Sequence, residues 1–82
     1  MSKQQTFITK LIDENNKMID FERWADKRIK TVESKLKELY TRYYGIYKNN
    51  IEKSEYIVIY ETLNNNDIEV KRINIKEFLS LA

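Results

Sequence analysis

Acidic residues are the first candidates for chemistry in this chain, because it contains no histidine and no cysteine. That removes imidazole bases, thiolate nucleophiles and the usual donor sets for zinc and other transition metals. Asp13 with Glu14, and Asp20 with Glu22, are of the type needed for a general acid and base, or for an oxygen-rich Mg²⁺ or Ca²⁺ site. Their expected places, at the end of one helix and the start of the next, are where acids commonly cap and solvate. A tyrosine nucleophile works beside histidine or an arginine cluster, and the four arginines here, Arg23, Arg28, Arg42 and Arg72, are scattered. The single glycine, Gly45, excludes a glycine-rich phosphate cradle. The expectation is a protein without catalytic residues, metal or cofactor.

Chemistry of recognition is better represented. From Lys35 to Lys48 bases alternate with aromatic rings, and Lys35, Lys37, Tyr40, Arg42, Tyr44, Tyr47 and Lys48 form a candidate partner-binding face. Tyrosines would anchor it and the bases would steer it toward an acidic or nucleic-acid-bearing partner. Phosphate contacts with base stacking are the alternative use of the same residues. Arg42 is the only Arg, Asn or Gln in the base-reading part of that segment, so sequence-specific major-groove readout is poorly supported.

These residues need a scaffold, and an α+β fold is expected: N-terminal helix, long amphipathic helix, antiparallel β-hairpin and short C-terminal helix. Phe7, Ile8, Leu11 and Ile12 have the i, i+4 spacing of a helix over about 3–14. Ala25, Ile29, Val32, Leu36, Leu39, Tyr43 and Ile46 follow at alternating steps of four and three, a heptad seam on a helix over about 20–47. Asp20 would cap it, and Gly45 with Asn49 would end it. The seam serves either as core or as a dimer interface. Phe21 and Trp24 add aromatic surface beside it. Tyr56 to Glu61 alternates and reads as a strand apolar on both faces, and Ile68 to Lys71 as its partner, giving a hairpin over about 55–72 that turns between Leu63 and Asp67. A change of parity places a bulge near 71–72. Asn74 followed by Glu77 is a capping box for a helix over about 75–81. A hairpin with open edges could also add a strand to a partner's sheet.

Eighty-two residues make one small domain, 1–82. No stretch reaches the length of a membrane span and the start lacks an apolar signal core, so a cytoplasmic protein is expected, in the host cell if phage-encoded. Charge is uneven: between 27 and 48 seven bases face only Glu33 and Glu38, whereas from 49 onward acids outnumber bases. A composition rich in Lys, Ile, Asn and Tyr is similar to that of phages and mobile elements with AT-rich genomes. The segment from Ile68 to Leu81 resembles the wing and last helix of small winged-helix excisionase-type regulators, but the long helix expected before it does not fit that family. The leading expectation is a small non-enzymatic regulator or inhibitor that binds a host protein or nucleoprotein, such as a CRISPR effector. A nucleic-acid-binding regulator with mainly phosphate contacts and a helix-mediated homodimer are the alternatives.

Overall fold

Phe7, Thr9 and Leu11 are buried while Ile8 and Lys10 between them are half-buried, which is the period of two of a strand with both faces partly covered. The computed structural model describes residues 6–25 and 28–80. Its elements are β1 (Thr6–Ile12), β2 (Met18–Trp24), α1 (Ile29–Arg42), α2 (Tyr44–Lys53), β3 (Tyr56–Leu63), β4 (Asn66–Asn74) and α3 (Ile75–Ser80). The strands form one antiparallel sheet in the order β2-β1-β3-β4.

The class is α+β, but strands open the chain where helices were expected. The doubled apolar pairs Phe7-Ile8 and Leu11-Ile12 satisfy a helical stripe, and they equally suit a central strand that needs apolar residues on both sides. Thr9 hides the alternation: it is 1% exposed and its Oγ1 accepts a hydrogen bond from Trp24 Nε1 at 2.9 Å. Replacing it, Thr9→Val, will leave that indole N–H without its partner. Because Trp24 is only half-buried, the expected cost is about 1 kcal/mol, read by urea denaturation.

The long helix over 20–47 is overturned as well. Its first part, from Asp20 to Trp24, lies in β2, and Ala25 precedes the helix. A five-residue loop, Asp13 to Lys17, joins β1 to β2. Asp13 Oδ1 accepts from the backbone N–H of Asn15 at 2.8 Å and of Lys17 at 2.9 Å, and Asn16 takes φ 63°. That is the turn chemistry of a hairpin closed by a left-handed residue. Tyr43, at φ −110° and ψ 32°, interrupts the helix, and α2 then runs through Gly45 and Asn49 to Lys53. No continuous rod of 28 residues forms. The buried positions Val32, Leu36 and Tyr40 recur every four residues, so the inward stripe departs from the heptad and takes Tyr40 in place of Tyr43.

The second hairpin lies where expected. Asn64 and Asn65 both have positive φ, 52° and 66°, as a two-residue turn matched to strand twist requires. The register shift falls opposite Ile59 and Tyr60, leaving Val70 unpaired one residue before the expected site. Asn74 Oδ1 accepts from the N–H groups of Lys76 and Glu77 at 2.9 and 3.2 Å and caps α3; Leu81 lies outside the described residues.

All three helices pack on one face of the sheet. Leu36, Tyr40, Ile51, Ile75 and Phe78 meet Leu11 and Ile57, and Val32 meets Phe7 and Ile59. Ile12 and Val58 are also buried, at 4% and 0%, but belong to neither cluster; strand alternation puts them on the opposite face. With β3 paired on both sides, the second hairpin keeps only the outer edge of β4 open, and the unpaired Val70 and charged Lys71 and Arg72 blunt it.

Candidate binding face

β2 runs against the usual polarity of an edge strand. Its acids point to the helices: Glu22 Oε1 accepts from the Tyr47 hydroxyl at 3.5 Å, and Asp20 Oδ2 from Asn50 Nδ2 at 3.2 Å. Phe21 and Arg23 alternate with them and face away from the helices. Phe21 is 48% exposed. A strand shaped by solubility alone would carry its acids outward and its ring inward.

Cross-strand pairing extends this outward face over the sheet. Phe21 pairs with Lys10, Lys10 with Val58 and Val58 with Arg72; beside that row Arg23, Ile8 and Tyr60 align, and on its other side Met18, Ile12 and Tyr56. No helix covers it. Lys10 Nζ sits 4.7 Å from the Tyr60 ring centre, and the Arg72 guanidinium 5.4 Å from that of Tyr56. Arg72 also donates to Glu69, at 3.1 Å from Nη2, and to Asn16 Oδ1 at 3.2 Å, which ties the edge of β4 to the β1–β2 turn. Its hydrogen bond holds the Glu69 carboxyl below the ordinary carboxylate value. Both outward acids are on β4, Glu69 bonded to Arg72 and Asp67 to the Thr62 hydroxyl at 2.8 Å. The β1–β2 half of the face holds Lys10 and Arg23 without an acid.

The helical face expected to bind a partner is taken apart by the fold. Tyr40 is 1% exposed and belongs to the core, and Tyr47 packs edge-on against it with ring centres 5.3 Å apart. Burial and then the Asp20 and Glu22 carboxylates hold the Tyr40 hydroxyl well above the ordinary tyrosine value; Tyr47 is raised in the same direction. Arg42 is paired with Glu38 at 3.3 Å, Lys35 and Lys48 are exposed, and Lys37 is half-buried. Tyr44 lies apart from them, in an open groove of about 620 Å³ between α2 and α3 with Ile51, Ile75 and Leu79. Of the seam, Val32 and Leu36 are buried and Ile29 and Leu39 half-buried, Ala25 is exposed ahead of the helix, and Tyr43 and Ile46 are exposed at 47% and 75%.

Nothing in the sequence groups Lys10, Arg23, Tyr56, Tyr60 and Arg72 on one face, and Phe21 was expected on a helix. One signal was present, a strand from Tyr56 to Tyr60 apolar on both faces. No family model, curated protein or solved structure matches the chain. Among the described residues, no helix is long and apolar enough to cross a membrane.

Proposed function

We propose that this chain is a small non-enzymatic interaction protein, a regulator or inhibitor of the phage or mobile-element kind directed at a host protein or nucleoprotein, and that it works through its uncovered sheet face. One observation carries the reading: three rings, Phe21, Tyr56 and Tyr60, and three cations, Lys10, Arg23 and Arg72, share a sheet face on which, among the described residues, no helix packs. Aromatic residues and arginine dominate contact energy at interfaces, and sheet residues hold their positions better than loop residues do. The helical surface supports the reading less well, since Tyr40 of α1 is buried in the core and Tyr47 of α2 packs against it.

Site-specific photo-crosslinking tests it. With benzoylphenylalanine in place of Phe21, illumination of bacterial cells producing the chain will give a discrete adduct, and the same probe in place of Arg42 will give none. Adducts from the Arg42 position alone would return the binding surface to the helix.

A further inference from the structure

We infer that the uncovered sheet face takes single-stranded nucleic acid, an inference that rests on the face being the binding surface. Charge is the first argument. In its β1–β2 half Lys10 and Arg23 have no acid beside them, whereas on β4 Arg72 pairs with Glu69 and Asp67 keeps its charge beside the Thr62 hydroxyl, so the β1–β2 half is the part of the face that complements a polyanion. Geometry is the second. Tyr56 and Tyr60 stand four residues apart on one strand, about 13 Å, and Phe21 stands two strands away, about 10 Å. Rings at those separations take separate bases. Each β3 tyrosine has a cation resting against it, Lys10 on Tyr60 and Arg72 on Tyr56, so a stacking ring and a phosphate contact arrive as a unit. When a base stacks on the ring, the cation moves to the adjoining phosphate. Such rings need unstacked bases, which a duplex keeps inside.

The experiment is fluorescence anisotropy of labelled oligothymidylate and oligouridylate, each of about fifteen nucleotides, with a duplex of the same length as competitor and a salt series. Binding should weaken with salt at a log–log slope of about −1.4, as expected for Lys10 and Arg23, the two cations of the face with no acid beside them, on a single strand. Phe21→Ala should weaken it by about fivefold or more, and Arg23→Gln should flatten the slope by about 0.7. Both side chains are exposed, and unchanged circular dichroism and melting will show that the variants stay folded. A thymidylate-only or uridylate-only response identifies the sugar that is accepted and supports the inference in either case. Equal competition by duplex overturns it. No binding by the unaltered chain at low salt, together with a protein adduct from the Phe21 position, overturns the ligand and keeps the face. Binding unaffected by both sheet variants but lost in Lys35→Glu with Arg42→Glu overturns both.

Discussion

Leu36→Ala will destabilise the protein by about 2–5 kcal/mol, among the larger losses available to a single substitution in a chain of this size. Leu36 is fully buried where α1 crosses the sheet, in one cluster with Tyr40, Ile51 and Phe78 from the helices and Leu11 and Ile57 from the two central strands. Removing its branched end leaves a cavity walled by all three helices and both central strands, and a wall of so many parts collapses poorly. Ile46→Ala, on the same presumed seam but 75% exposed, will change stability by less than about 0.5 kcal/mol. Chemical denaturation of the two variants separates the positions. Equal losses at both would mean that Ile46 is covered in solution, as a helix-mediated dimer requires.

The second large effect is alkaline. Below the ordinary tyrosine value of 10.0, Tyr40 is protonated in both folded and unfolded chains and contributes no pH dependence. Above it the unfolded chain releases the proton while the folded one, its hydroxyl buried beside the carboxylates of Asp20 and Glu22, retains it. The folded state then binds more protons, so stability falls as pH rises, by up to about 1.4 kcal/mol per unit. Tyr47, raised in the same direction but less enclosed, adds a smaller slope of the same sign. Urea denaturation between about pH 8 and pH 11.5 will show this decline in the unaltered chain and a shallower one in Tyr40→Phe. A slope unchanged by that substitution would remove Tyr40 as its source.

The second half of the fold was legible because its signals are local. Alternation from Tyr56 to Glu61, two asparagines able to take positive φ, and Asn74 placed three residues before Glu77 each act within a few residues, and each has its expected place. The first half depends on partners far along the chain. Thr9 belongs inside only because Trp24 donates to it, and Asp20 and Glu22 face the helices only because Asn50 and Tyr47 meet them there. Read alone, acids before an apolar stripe mimic a helix start. The proposed binding face was hidden for the same reason. Lys10, Phe21, Tyr60 and Arg72 come from four separate strands, and no spacing in the sequence joins them. The basic tyrosine segment, contiguous and conspicuous, turned out to supply core at Tyr40 and packing at Tyr47.

Amide shift mapping tests the central claim most directly: a ¹⁵N-labelled chain titrated with unlabelled oligothymidylate and followed by two-dimensional nuclear magnetic resonance. The perturbed amides will cluster on Lys10, Phe21, Arg23, Tyr60 and Arg72, with Lys35, Arg42 and Lys48 unmoved. Shifts confined to α1 and α2, with the sheet silent, would contradict it.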